Sequence, residues 1–208
     1  MTPDQVQALF TRADGTYLFA RWGRPIVPVV FGVEDATLAV VKGAVEAVVA
    51  LAGHKMAETD PELGANLMIF FFRDWAELPE VPNLDRLVPG LAALCARLEE
   101  AGANQYRIFR FDPEGAIRAV FVFVRMDAHL EAVSAETLAL SQAVQMILLW
   151  SDRAFGEMSP LASGAGGAVM LRPEIAALIR AGYDPVLPAI AMDATHGLRL
   201  AARIARVV

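Results

Sequence analysis

Six consecutive apolar residues, Leu67-Met68-Ile69-Phe70-Phe71-Phe72, set the strongest limit on what this chain folds into. Successive side chains of a strand point to opposite faces, so a run with no polar position has no side to offer water and must be covered twice. It is also far shorter than the roughly 20 residues of a membrane-spanning helix. The reading is a central strand with helices on both faces. Ala119 to Val124 has the same character and predicts a second central strand. The chain has 208 residues, 56% of them hydrophobic, enough to fill such a core; the remainder predicts association, as a homodimer or with a peptide or protein partner.

The other segments fall around these strands, and the strand, helix, strand succession up to Phe72 has the order of a βαβ unit. Pro3 to Thr11 reads as a short helix followed by a turn at Ala13-Asp14-Gly15-Thr16, so residues 1–16 form an N-terminal helical extension. Tyr17 to Trp22 and Ile26 to Phe31 read as strands, which Pro25 and Pro28 confine to an edge or interrupted role. Asp35 caps a helix running to about Ala52, with Leu38, Val41, Val45 and Val48 on one face and Gly53 as its stop. A proline-marked connection, Pro79 to Pro89, leads to a helix through Leu91, Leu94 and Leu98 that ends at Gly102. Tyr106 to Phe111 and Ile117 to Arg125 flank Asp112-Pro113-Glu114-Gly115, a hairpin signal.

Ser134 caps a helix that runs to Trp150, with Val133 and Leu138 spaced as a hydrophobic staple. Ser159 to Gly167 reads as a surface loop whose glycines Gly164, Gly166 and Gly167 lack the ending of a phosphate-binding loop. Pro173 opens a helix to Gly182, and Asp193 caps a last one to Arg206. On that helix Arg199, Arg203 and Arg206 form a basic stripe opposite Leu198, Ala201 and Ile204. The fold expected is one α+β domain, a mixed sheet with helices packed on it.

Charge narrows the partners. Eighteen Lys and Arg against 24 Asp and Glu give −6, which opposes binding to nucleic acid and to anionic lipid. The lone Cys95 sits in an apolar helical pattern and has no partner for a disulfide. Asp4, Arg12 and Asp14 interrupt the first residues where a secretory signal would be apolar, so the expected location is cytoplasmic.

The candidates for chemistry are few. His54, His129 and His196 are not spaced to share a helix face as metal ligands. Asp127 and His129 follow a strand and, with Glu131, form the one acid/base or metal candidate set. His54 follows a helix C-terminus, where a cation is favoured, and His196 is placed on the surface. The helix from Ser134 is apolar nearly all round in its second half, so its polar residues carry the information. Thr137, Ser141 and Gln145 stand four apart, with Gln142 alongside. Ser141, Gln142 and Gln145 are the candidate cleft; the alternative is that they satisfy one another inside the fold.

Further motifs lie around this helix. Ser141-Gln142-Ala143-Val144-Gln145 is followed by Leu148-Leu149-x-Ser151-Asp152, Pro173-Glu174 and Ile179-Arg180-x-x-Tyr183-Asp184-Pro185, with Arg21-Trp22-x-x-Pro25-Ile26 and Ala65-Asn66-Leu67 upstream. This succession resembles a bacterial family of unknown function with a zincin-like, metallopeptidase-related fold. The resemblance implies that Ser141, Gln142 and Gln145 occupy the positions of the His-Glu-x-x-His zinc motif. A hydroxyl and an amide are poor substitutes for imidazole, and Gln142 cannot serve as general base. Leu148 and Val186 depart from the family pattern as well. The resemblance therefore implies a zincin-like domain without metal, cofactor or catalysis; read apart from it, a cleft floored by neutral amides predicts binding of an extended peptide or protein segment against a sheet edge without cutting it. Two other readings stay open: a hydrolase with a divergent metal site, and a small-ligand carrier lined by Phe70, Phe72, Phe121 and Phe123.

Overall fold

The computed structural model describes residues 1–164 and 167–205. In chain order its helices are α1 (Pro3–Ala8), α2 (Asp35–Leu51), α3 (Leu84–Leu87), α4 (Leu91–Glu100), α5 (Ala128–Glu131), α6 (Ala135–Ile147), α7 (Pro173–Gly182) and α8 (Thr195–Ile204). Its strands are β1 (Phe19–Ala20), β2 (Pro28–Phe31), β3 (Leu67–Phe72), β4 (Gln105–Phe111), β5 (Ile117–Arg125), β6 (Leu161–Ser163), β7 (Val169–Leu171) and β8 (Ile190–Ala191). A 3₁₀ turn, Trp75–Glu80, follows β3.

The main sheet has the order β2-β3-β5-β4, with β2, β3 and β5 parallel and β4 antiparallel at one edge. It is the mixed sheet of an α+β fold. Every residue of β3 is buried, as its unbroken apolar run requires. Alternation divides the sheet into two faces. Leu67, Ile69, Val120, Val122 and Val124 join a core with α2, α6 and α7, whereas Met68, Phe70, Phe72, Phe121 and Phe123 join one with α4 and the 3₁₀ turn. On the second face the register aligns Phe31, Phe70, Phe123 and Tyr106 in a row across all four strands. Phe31 and Phe70 stack at 4.7 Å, and Phe70 and Phe123 at 5.5 Å.

The hairpin and the caps follow local chemistry. Between β4 and β5, Gly115 takes φ of 89° and donates to the Asp112 carbonyl, while Asp112 accepts from the Ala116 N–H. Ser134 accepts from the Thr137 N–H and caps α6. Pro28 opens β2 on the outer edge, where its missing N–H is tolerated. Gly32 follows with φ of 79°, and a Cβ there would stand 1.9 Å from the Phe71 carbonyl oxygen.

Several boundaries differ from expectation. The segment Tyr17–Trp22 is strand only at Phe19–Ala20, extended by single bridges from Tyr17, Arg21 and Trp22. Pro25 and Pro28 interrupt it and its successor, which begins at Pro28 rather than Ile26. Asp35 is the first residue of α2, not its cap. The Pro79–Pro89 connection is partly helical, and Ser159–Gly167 contributes β6, which pairs with β7 as a hairpin. Gly166 and Arg206 lie outside the described residues. Residues 1–16 pack on α8 and bury Val6 and Phe10.

Helix α6 ends at Ile147 instead of Trp150, because Leu148 turns extended and bridges Arg21. Its last carbonyls would be orphaned inside the core. Three aromatic donors reach them: Trp150 Nε1 bonds Val144 O at 2.8 Å, Trp22 Nε1 bonds Met146 O at 2.9 Å, and Tyr183 Oη bonds Ile147 O at 2.8 Å. On α8 the buried face is His196, Gly197, Leu200 and Ile204, so Leu198, expected inside, is 47% exposed. Replacing Gly32 with alanine, which meets both the left-handed backbone and the Phe71 carbonyl, is expected to cost at least about 2 kcal/mol in urea unfolding. An unchanged midpoint would contradict this close approach of β2's end to β3.

Candidate functional site

The sheet has two edge strands, β2 and β4, and a groove runs beside β4. Its cavity of about 700 Å³ is lined by Gln105, Tyr106, Arg107, Ile108, Phe109 and Phe111 on one side and by Gln145 and residues of the segment from Leu149 to Phe155, Arg153 excepted, on the other, with Arg12 also at its wall. The β4 contribution is unbroken from Gln105 to Phe109 and includes side chains of both sheet faces. Only a groove that follows the strand's edge touches both sets. The Arg125 N–H donates to Asn104 O at 2.8 Å, and Gln105 stands opposite Val124. Antiparallel alternation then turns the N–H and C=O groups of Gln105, Arg107 and Phe109 away from β5, toward the groove.

The opposite wall is held by long-range contacts. Leu149 N–H donates to Ala20 O and Ser151 N–H to Leu9 O, while the Asp152 carboxylate accepts from the Ala13 N–H. Trp150 stacks on Phe10 at 5.3 Å, and Phe155 meets Trp150 edge-on at 4.9 Å. Phe155 holds φ of 65°, uncommon for an aromatic residue, and lines this groove and the cavity next to it. That second cavity, about 560 Å³, shares Gln105, Arg107 and Gln145 and adds His129, Ser141 and Glu157.

The polar stripe of α6 divides in two. Gln142 is buried: its Oε1 accepts from Arg107 Nη2 at 2.5 Å and its Nε2 donates to Gln105 Oε1 at 2.8 Å. Gln105 Oε1 also accepts from Arg107 Nη2 at 3.1 Å, closing a three-residue network between helix and edge strand. Gln142 therefore supports the groove without lining it. Gln145 and Ser141 do line the cavities, with Gln145 Nε2 donating to Ser141 Oγ at 2.9 Å. Thr137 turns instead to Ser134, at 2.9 Å between hydroxyls.

Arg107 is the residue that sequence reasoning missed. It is half-buried, Nη2 is engaged by two neutral amides, and Nε is buried with no partner among the described residues. The ion pairs among the described residues join Arg24 to Asp60 and Glu62, Arg118 to Glu62, and Arg203 to Asp184; Arg107 is in none of them. Burial lowers its pKa to about 10, so at neutral pH it remains a cation. The available signal was an arginine two residues into an apolar strand that contains no acid, Gln105-Tyr106-Arg107-Ile108-Phe109-Arg110-Phe111.

Asp127, His129 and Glu131 do not form a site together. Asp127 caps α5, accepting from Leu130 N–H at 2.9 Å and from Asn104 Nδ2 at 3.0 Å; these bonds, the backbone one first, hold its carboxyl below the usual range. His129 and Glu131 are exposed, and only His129 reaches a cavity. His54 is half-buried with Nε2 donating to Arg24 O at 2.8 Å, and burial pushes its pKa down, against the cation expected there. His196 is buried, not on the surface, with Nδ1 3.0 Å from the Tyr17 hydroxyl and its ring 4.4 Å from Phe19. Burial, aided by Arg199 and Arg203, lowers its pKa to about 4. Among the described residues no three His, Cys, Asp or Glu side chains converge to hold a metal ion. Phe70, Phe72, Phe121 and Phe123 are packed into the core beneath α4, so they fill space and line no cavity described here. In comparisons with family models, curated proteins and solved structures, the chain gives no match.

Two measurements check these placements. Gln142→Ala leaves a cavity in a buried position and removes one of the two amides that hold the half-buried Arg107 guanidinium, and should cost about 2–3 kcal/mol in denaturant unfolding, whereas Gln145→Ala should cost under about 1 kcal/mol. Equal losses would contradict the division of the stripe. A histidine kept neutral in the fold but free to protonate when unfolded destabilises the native state as pH falls from about 6.5 toward 4. Compared with wild type, His196→Gln should therefore lose about 2–3 kcal/mol less stability over that window and show no such difference above pH 7. Parallel pH profiles would contradict a neutral, buried His196.

Proposed function

We propose that this chain is a non-catalytic, zincin-like binding domain that takes an extended peptide as an added strand on the free edge of β4. The observation that carries the reading is the groove that follows consecutive β4 residues and faces the unpaired backbone groups of Gln105, Arg107 and Phe109. An extended segment seated there gains main-chain hydrogen bonds from β4 and side-chain contacts from α6 on one side and the Leu149–Phe155 wall on the other. Gln145 lines the groove and donates to Ser141 in the adjoining cavity, so what α6 supplies there is neutral donors and acceptors.

The chemistry of the lining favours binding over hydrolysis. Asp127 spends its carboxylate on a helix cap, and among the described residues no carboxylate pairs with His129 to orient it. The homodimer expected from the apolar content draws no support from this edge. A two-fold pairing of β4 centred on Arg107 sets that residue of one copy directly against its counterpart, a like-charge arrangement. No helix among the described residues is long and apolar enough to cross a membrane. A cytoplasmic peptide or protein partner is the reading that accords with the composition.

The test leaves the protein unaltered. Peptides selected from a displayed library of ten random residues on the full chain are resynthesised with single backbone N-methyl groups. Methylation at alternate positions is expected to abolish binding, since those N–H groups pair with β4, while the intervening positions tolerate it. Binding without that alternation, or no selected peptide at all, would contradict strand addition.

A further inference from the structure

We infer that the segment bound at this edge is acidic, an extended stretch of a partner protein that sets an aspartate or glutamate side chain opposite Arg107. The inference rests on the peptide-binding reading of the groove and adds the chemistry of its occupant. β4 carries two arginines, Arg107 and Arg110, and no acid. Side chains directly paired across neighbouring strands lie on the same face. The residue paired with Arg107 therefore enters on the α6 side, where the guanidinium lies against Gln142.

The guanidinium there is electrically incomplete. Its Nη2 is held by neutral amides, its Nε is buried without a partner, and Nη1 makes no hydrogen bond among the described residues. Arg107 lines both cavities, so the donor left over is the one it presents to an incoming group. Carboxylate bonds to such a donor are about twice as strong as neutral ones, and the surrounding side chains shield them from water. The acids that also face these cavities, Asp152 and Glu157, belong to the opposite wall, and neither pairs with Arg107. Asp152 is already bonded to the Ala13 N–H, and Arg12 stands at the same cavity.

Register extends the inference by one residue. The position two along from the acid pairs with Phe109 and meets Leu149 and Trp150, an apolar wall. The recognised pattern is an acid, any residue, then an apolar one. The protein's net charge of −6 gives an acidic segment no long-range attraction, so recognition depends on this local contact.

Selection on the full chain from two displayed libraries, one with the random segment inside a chain and one ending in a free carboxyl terminus, tests the inference. The expected result is enrichment, in the internal library, of Asp or Glu two residues from an apolar position. A synthetic peptide from that set should bind roughly tenfold or more tightly than its Glu→Gln or Asp→Asn counterpart, and Arg107→Gln should erase the difference. If Arg107→Gln fails to fold, Arg107→Lys, which keeps the charge but loses the planar fork, should shrink the difference without removing it. Enriched binders without an acid, which compete with one another and show the alternating N-methyl pattern, overturn this inference and leave the groove reading standing. Enrichment confined to the free-terminus library assigns the carboxylate to a chain end and overturns the side-chain version. No binder from either library overturns both.

Discussion

The site depends on a polar contact where a sheet of this kind ordinarily packs with apolar side chains: Gln142 of α6 bonded to Arg107 and Gln105 of the edge strand. Edge strands present unpaired backbone groups and are normally covered or guarded by charge. Here a helix approaches the face of the edge strand through amides, leaving the edge itself open and a cation beside it. That contact is the polar tie between α6 and β4, while most of the helix's packing is to α2, with smaller contacts to β5 and β7. The groove is therefore built by the same hydrogen bonds that keep the arginine half-buried.

The opposite wall has its own cause. Helix α6 ends inside the protein, and its last carbonyls are met by Trp22, Trp150 and Tyr183. Meeting them makes the chain leave the helix abruptly at Leu148, run back past Ala20 and Leu9, and lay Trp150 on Phe10. That path sets the segment Leu149–Phe155 across from β4. A buried helix terminus and a groove at a sheet edge are thus two consequences of one sharp exit from α6, and the N-terminal segment takes part in both.

Much of this fold is legible in local sequence, and the limits of legibility are physical. β3 and β5 read directly, since an unbroken apolar run of strand length has few other uses, and the Asp-Pro-Glu-Gly turn joins β4 to β5 as expected. The end of α6 did not read, because Leu148-Leu149-Trp150 continues an apolar helix as well as it forms a wall; the bridge to Arg21 that decides between them is 127 residues away in the chain. His196 was misplaced for a related reason. It shares a stripe with Leu200 and Ile204 and is covered by Tyr17 and Phe19, while Gly197 lets Gln7 of α1 approach the helix closely. In the site, Gln142 and Gln145 stood out as polar residues on an apolar helix, yet only their partners distinguish support from lining. Arg107 was invisible as a site residue because its meaning is an absence of counter-charge, which no spacing records.

The most direct test of the whole account is residue-resolved amide hydrogen exchange along β4, without and with a selected peptide. In the free protein the Gln105, Arg107 and Phe109 amides should exchange fast while those of Tyr106 and Ile108, bonded to β5, stay protected; peptide should then protect the fast set by roughly tenfold or more. Uniform protection along β4 in the free protein, or binding that leaves the Arg107 and Phe109 amides exchanging as before, would contradict an open edge that accepts a strand.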